Sequence, residues 1–321
     1  MSEIIVFIIS VAIVIKGSDW LGRSGVTWAQ KFGLPSFVIG ATFVAVATSL
    51  PELAVAAIAG PVYKEPLLAL GAVFGAPLIN IGVILALIFF FAQKRPSLGY
   101  FSRAINIFIV LAFLLFVISL NIPFGSILSP LLIFLGILFL LLEFVIGNKS
   151  HSLFENVSNR FEEIIGFFSF AKKQETLFEF TFGFVFLLLG SSFMVNSALA
   201  IANSFRLDEL FFSATVVALA TSLPELITTI NSLVNKREDL AIGTLVGASV
   251  IDLSIGVGLA SFMTQTQLLP PINLIITVPL ILCGIFCLLS FWEKFPLRLI
   301  ALLLTTTFFV YLLVFTIKQI I

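Results

Sequence analysis

Residues 41–53 of this chain read ATFVAVATSLPEL and residues 214–226 read ATVVALATSLPEL, identical at 11 of 13 positions and offset by 173 residues (214 minus 41). In the first copy Ala45, Thr48, Ser49 and Glu52 fall at i, i+3, i+4 and i+7, so they share one face of a helix; Ala218, Thr221, Ser222 and Glu225 do the same. Pro51 has no N–H and its ring crowds the carbonyl of Ala47, four residues back, and Pro224 acts likewise on Ala220. The spacing therefore predicts a break or kink at each proline, releasing backbone carbonyls beside a hydroxyl pair and a carboxylate. Carbonyl, hydroxyl and carboxylate oxygens are the ligands that hard cations such as Ca²⁺ prefer. A plain proline kink, with hydroxyls bonded back to their own helix, accounts for Thr-Ser-Leu-Pro but not for the glutamate.

A second pairing follows at nearly the same offset, GAVFGAPLIN (71–80) against GTLVGASVID (243–252). It makes Asn80 and Asp252 equivalent, an amide and a carboxylate that can add oxygens to the same site. Gly71 and Gly75, like Gly243 and Gly247, stand at GxxxG spacing, which lets helices approach closely. These glycines are expected to bring the helices of Asn80 and Asp252 against the proline-broken ones. A third, weaker pairing joins Gly17-Ser18 to Gly190-Ser191.

The elements that carry these residues are membrane spans. The 321 residues are 60% hydrophobic and only 11% charged, with 37 Phe and a mean hydropathy of +1.19. Soluble domains are roughly 45–50% apolar and about 25% charged, so a soluble fold, a disordered chain and a nucleic-acid binder are excluded. Apolar runs of about 20 residues predict ten spans, at 3–28, 34–60, 65–92, 100–121, 125–147, 176–203, 209–235, 239–264, 271–291 and 296–318. No small-residue cleavage site follows the first run, so a separate signal peptide is not expected. Cys283 and Cys287, one turn apart in an apolar run, read as packing residues, and His151 lies in a polar loop.

Basic residues set the orientation. The odd-numbered connections and their flanks carry Lys16, Arg23, Lys31, Lys94, Arg95, Arg103, Lys149, Arg160, Lys172, Lys173, Lys236, Arg237, Lys294 and Arg298, fourteen in all. The even-numbered connections and the termini carry three, Lys64, Arg206 and Lys318. Both termini are therefore expected outside and the connection at 149–174 in the cytoplasm. Phe154, Val157, Phe161, Ile164, Ile165 and Phe168 give that linker the spacing of an amphipathic surface helix. Five spans per half is an odd number, so the second half enters the membrane from the opposite side. The fold expected is an all-α membrane protein of ten transmembrane helices in two inverted five-helix repeats, 1–148 and 175–321. Secondary transporters use this design, with the substrate site at the repeat interface near the midplane.

Magnitude then decides what the acids are for. A carboxylate at the centre of a membrane helix costs roughly +2.5–3.5 kcal/mol on insertion scales. Glu52, Glu225 and Asp252 together would cost on the order of 8–10 kcal/mol if nothing neutralised them. No Lys or Arg falls in the central part of these spans; Lys16 is the deepest base, and Asp19, one turn away, is its expected partner. The missing positive charge has to come from outside, as bound cations or protons.

At these residues the chain resembles the sodium/calcium exchanger family of the calcium/cation antiporters, as a prokaryotic-type member. The likeness runs over nearly the whole sequence: two inverted halves, TSLPE in each, and Gly17-Ser18-Asp19-Trp20 in the long first helix. The resemblance implies exchange of Ca²⁺ against Na⁺ by alternating access, with no cofactor and no catalysis. It implies Glu52 and Glu225 as the carboxylate ligands of Ca²⁺, completed by the carbonyls of Thr48 and Thr221. Ser49 and Ser222, with the carbonyls of Ala45 and Ala218, would serve Na⁺. Asn80 and Asp252 would line the central site, and the resemblance allows Asp252 to be protonated rather than a ligand. The first and sixth helices, around Gly17-Ser18 and Gly190-Ser191, would slide to switch access.

The chain also departs from the family pattern, which reads G-N-x-x-G-S-N in each second motif. Ala76 and Ala248 stand where serines that help bind Na⁺ are expected, and Pro77 introduces a further expected helix break. Proton coupling, Ca²⁺/H⁺ or another divalent cation against H⁺, is accordingly the alternative within the class. Outside it stand a cation channel, which would show uncoupled flux, and an intramembrane hydrolase built on paired acids. The partners expected are membrane lipid and inorganic cations, with no nucleic acid and no obligatory protein partner. The compact chain points to the plasma membrane of a prokaryote.

Overall fold

The structure is a computed structural model and describes residues 2–31, 45–91, 105–113, 115–116, 128–149, 176–234, 238–262 and 270–320. Among them every regular element is a helix. The chain runs α1 (Ser2–Lys31), α2 (Ala45–Ala59), α3 (Pro66–Ile79), α4 (105–113) and α5 (Leu128–Lys149), then α6 (Thr176–Phe205). The rest is α7 (Glu209–Phe212, continuing into Ala218–Thr221), α8 (Leu223–Val234), α9 (Glu238–Ile251), α10 (Pro270–Leu289) and α11 (Leu297–Ile320). Three of these helices contain π-helical turns. α3 passes through one at Asn80–Leu85 before ending at Ala86–Phe91, α7 contains one at Ser213–Val217, and α9 passes through one at Asp252–Gly256 into Val257–Ser261.

Among the described residues five stretches are long and apolar enough to cross a membrane: Pro66–Phe91, Phe178–Phe205, Glu209–Ile230, Ala241–Ser261 and Leu297–Lys318. Shorter apolar helices stand at Ala45–Ala59, Ser129–Leu142 and Leu274–Leu289. The expected linker helix at 149–174 lies outside the described residues, apart from Lys149 at the end of α5.

Burial sorts the spans into a centre and a shell. Pro66–Phe91 and Ala241–Ser261 are 83% and 89% buried, whereas Phe178–Phe205 and Leu297–Lys318 are 44% and 28% buried. The buried pair are the helices of Asn80 and Asp252. The shell helices turn large apolar side chains outward, among them Ile5, Ile8, Phe178, Leu189, Leu302 and Phe309. Contiguous apolar surface on this scale is what lipid covers.

Without a hydrophobic drive between helices in lipid, close packing has to come from small residues. α1 and α6 form the most extensive helix pair. They cross at Gly17, where an added Cβ would sit 2.6 Å from the Leu187 nitrogen, and at Gly190, where it would sit 3.1 Å from the Val14 nitrogen. In the core, Gly71 faces the Leu210 carbonyl and Ser213, and Gly75 faces the Ala214 carbonyl and the Ala218 side chain. Ser213 Oγ also donates to the Leu68 carbonyl at 2.5 Å. The first GxxxG pair thus does bring the Asn80 helix against α7, as its spacing implied.

Two expectations about proline need correction. α2 runs as one α-helix from Ala45 to Ala59 with Pro51 inside it, so there is no break in the first TSLPE copy. The second copy is interrupted, at Ser222 (φ −80°, ψ 5°) between α7 and α8. Pro77 likewise does not break α3. The π turn that follows it is not a proline effect, because α9 makes the same turn after Asp252, where position 249 is a serine.

Replacing Gly75 with Ala should cost about 1–3 kcal/mol, the usual penalty of overpacking, because backbone and a methyl group already occupy that space. Gly82→Ala, whose nearest contact is the Phe308 side chain at 3.0 Å with the Leu304 carbonyl at an ordinary 3.7 Å, should cost less. Thermal unfolding of the two purified variants in one detergent orders them, and equal melting temperatures would contradict the packing described.

Candidate functional site

The site lies where α2, the α7–α8 junction, α3 and α9 meet. Glu52 and Asp252 are fully buried and Glu225 is 1% exposed. Glu52 is carried by α2 and Glu225 by the first turn of α8. Asn80 and Asp252, equivalent in sequence, each occupy the first position of a π turn. A π turn widens the helix and recurs at functional sites. Here it places one polar side chain at the point where the backbone ladder changes register.

The pairing across the site is reciprocal. The hydroxyls facing Glu52 are those of Thr221 and Ser222, from the other copy of the motif. The hydroxyl facing Glu225 is that of Thr48. Asp252 faces Ser49 and lies within electrostatic reach of both glutamates. None of these contacts closes into a hydrogen bond. Both oxygens of Glu52, Glu225 and Asp252, both amide atoms of Asn80 and the Ser222 hydroxyl are buried without a partner.

No buried Lys or Arg answers this charge among the described residues. Lys16 is half exposed and bonded to Asp19 at 3.2 Å, as the sequence led one to expect, and its ammonium lies over the Trp20 ring. Leaving one buried polar group unsatisfied costs about 1–3 kcal/mol, and more when the group is charged. A cluster of such groups is built for something that arrives and leaves.

The other oxygens are partly engaged. Thr48 Oγ1 donates to the Ala45 carbonyl at 3.2 Å, and Thr221 Oγ1 to the Ala218 carbonyl at 3.1 Å. The threonine hydroxyls therefore do what the plain kink reading assigned them, while the glutamates do not. Ser49 Oγ donates to the Ala248 carbonyl at 3.5 Å. Among the described residues no three acid, imidazole or thiol side chains converge closely enough to hold an ion by themselves. A cation here has to draw on carbonyls and hydroxyls besides the two glutamates. Cys283 and Cys287 are buried in the packing between α10 and its neighbours, apart from this cluster.

Sequence reasoning found the carboxylates, Asn80 and the Thr-Ser pairs, but not the role of Ser18. Its hydroxyl reaches from α1 to the Ala47 carbonyl at 2.6 Å. That is the carbonyl deprived of its donor by Pro51, and the contact explains how α2 stays continuous. A proline-freed carbonyl facing a buried serine at matching depth was the available signal. Gly17 and Gly190 set the α1–α6 crossing, and Ser191 is buried nearby on α6.

Residues 2–148 and 176–317 match the family described as sodium/calcium exchanger protein. The inner membrane protein YrbG of Escherichia coli K12 is 28% identical over 308 residues, covering 95% of this chain and 94% of its own. The sodium/calcium exchanger MaX1 of Methanosarcina acetivorans is 27% identical over 328 residues, covering 90% and 92%. A solved structure of the sodium-calcium exchanger NCX_Mj, soaked with 100 mM Na⁺ and 10 mM Sr²⁺, has the same fold. Its TM-score is 0.64 at 21% identity, with 96% of each chain covered. With two matched segments that take in both TSLPE motifs, this chain belongs to the sodium/calcium exchanger protein family.

Proposed function

We propose that the protein is a secondary antiporter that exchanges Ca²⁺ for Na⁺ across a membrane by alternating access. The observation that carries this reading is the pair Glu52 and Glu225, buried, without hydrogen-bond partners and, among the described residues, without a buried base. Such a pair is neutralised only by what binds to it. A divalent cation between them, held also by the Thr48 and Thr221 carbonyls, matches both their charge and their hardness. Ser49, Ser222 and the Ala45 and Ala218 carbonyls would hold the counter-ion Na⁺. Asn80 and Asp252 would line the centre. Exchange is obligatory because the empty carboxylates cannot be carried across uncompensated: the carrier moves loaded with Ca²⁺ or with its counter-ions.

The arrangement we propose is ten spans in two inverted halves, 1–148 and 175–321, joined by a cytoplasmic linker at 149–174, with both termini outside. The two copies of the motif support it, as do the reciprocal contacts of Gly17 with Leu187 and of Gly190 with Val14. The basic-residue bias supports the orientation, and the plasma membrane of a prokaryote is the location we propose.

A second reading, Ca²⁺/H⁺ exchange, is favoured by one specific feature. Ala76 and Ala248 are fully buried beside Asn80 and Asp252 and bring no hydroxyl to the site. Losing two hydroxyl ligands weakens a monovalent ion more than Ca²⁺, which keeps the carboxylates. Glutamates that release Ca²⁺ can take up protons instead.

Radioactive Ca²⁺ uptake into sealed liposomes separates the two readings. An outward Na⁺ gradient should drive uptake if the remaining oxygens hold Na⁺, and an outward H⁺ gradient alone should drive it if protons are the counter-ion. Glu52→Gln and Glu225→Gln should each bring the rate down to the empty-liposome background, and normal flux in both would sink the site. Stability gives an independent check. Ca²⁺ at 100 times its Kd should stabilise the wild-type protein by about 2.7 kcal/mol. In Na⁺-free chelator buffer Glu225→Gln should melt above the wild type, because a buried repulsion is gone, and added Ca²⁺ should no longer raise its melting temperature.

A further inference from the structure

The two serines of the Gly-Ser pairs are equivalent in sequence and unequal in the structure. Ser18 Oγ, on α1, donates to the Ala47 carbonyl at 2.6 Å. Ser191, its counterpart on α6, is fully buried and its hydroxyl has no partner. A serine in a helix ordinarily bonds back to the carbonyl three or four residues earlier. Ser10, Ser197, Ser204, Ser249 and Ser254 all do so here. Ser191 does not, although a carbonyl of the right kind exists for it. Adding 173 to 47 gives Ala220, whose i+4 residue is Pro224 and whose carbonyl is therefore short of its helical donor in the same way.

The packing shows why only one of the two bonds is made. α1 and α6 both lie against α2, the helix of Ala47, whereas α6 has no comparable contact with the α7–α8 junction that holds Ala220. The helices themselves differ accordingly. α2 is continuous through its proline, while the equivalent stretch is interrupted at Ser222. The Ser49/Ser222 pair repeats the asymmetry, with Ser49 bonded to the Ala248 carbonyl and Ser222 unpartnered.

We propose that Ser18 and Ser191 are positioning residues that hold the α1–α6 pair in one of two places. In the present state Ser18 caps the carbonyl freed by Pro51. When access reverses, α1 and α6 move off α2, Ser18 lets go, and Ser191 caps the carbonyl freed by Pro224. Neither serine touches the cation. They act through the two helices whose shift opens one face of the site and closes the other. Only the Ser18 bond is formed in this structure, so in the proposed switch each bond contributes to one state and is absent from the other. This rests on the alternating-access reading above, but concerns the orientation of the carrier rather than its cargo.

The substitutions then have opposite signs. Ser18→Ala removes a bond from the present state and costs the other nothing. Ser191→Ala removes a bond from the other state and relieves an unsatisfied hydroxyl in this one. Each should shift the ratio of the two orientations by about five-fold, the scale of one net hydrogen bond, in opposite directions. Hydrogen exchange of the full chain in lipid nanodiscs, read on peptides covering 53–60 and 226–234, reports the orientation without requiring transport. The two peptides should change in opposite senses, and the senses should swap between Ser18→Ala and Ser191→Ala. The double variant should return toward the wild-type pattern, and Ser18→Thr, which keeps the hydroxyl, should stay close to it. Shifts of the same sign, or none in either variant, would overturn the proposal. Ca²⁺ flux measured in parallel keeps the two ideas apart. Opposite shifts in a protein that carries no Ca²⁺ would support the latch and sink the cargo, and Ca²⁺ flux without opposite shifts would do the reverse.

Discussion

Two glutamates buried in helical packing, with no compensating base among the described residues, constrain the rest of the described structure. Burying a carboxylate without a partner is among the most expensive things a membrane protein can do. Here the two lie within reach of each other and of a third acid, Asp252. The hydroxyls facing these acids are those of Thr48, Ser49, Thr221 and Ser222, and among the described residues no buried Lys or Arg supplies the opposite charge.

That requirement dictates the packing. Backbone carbonyls can take part in binding an ion only if the helices that bear them come close, and close approach requires glycine, alanine and serine at the crossings. Gly71 and Gly75 let the Asn80 helix lie against α7, and Gly17 and Gly190 let α1 cross α6. Other large apolar side chains, Phe178, Leu302 and Phe309 among them, face outward, where lipid would cover them. Three π turns near Ala218, Asn80 and Asp252 add the local irregularity that an all-α backbone needs to aim polar groups inward. Irregular backbone at this depth is tolerated because it is enclosed by protein.

Proline shows where local rules stop. Taken alone, Pro51 and Pro224 have identical neighbours and the same consequence, yet one helix is continuous and the other is interrupted. The difference comes from a residue 29 positions before Ala47. Ser18 supplies the hydrogen bond that Pro51 withholds, and the equivalent serine makes no such bond. A local break is therefore conditional on which neighbour is docked against the helix. Pro77 carries the same lesson, since α3 simply continues through it.

Much of the site was legible without coordinates. The repeated TSLPE, the apolar setting and the absence of deep bases identified Glu52, Glu225 and Asp252, because charge in an apolar run has few explanations. Helical periodicity placed Thr48, Ser49 and Glu52 on one face, and the duplication made Asn80 and Asp252 equivalents. These conclusions follow from composition and spacing, which are properties of the chain itself. The tertiary structure decided the rest: that each glutamate faces the hydroxyls of the opposite copy, that the threonines bond back to their own helices, and that Ser18 is bonded while Ser191 is not. The shared Gly-Ser pairs and TSLPE copies do not by themselves encode that last difference. It goes with α1 and α6 both lying against α2 while α6 has no comparable contact with the α7–α8 junction, and a hydrogen bond forms only where its two ends are brought within about 3 Å.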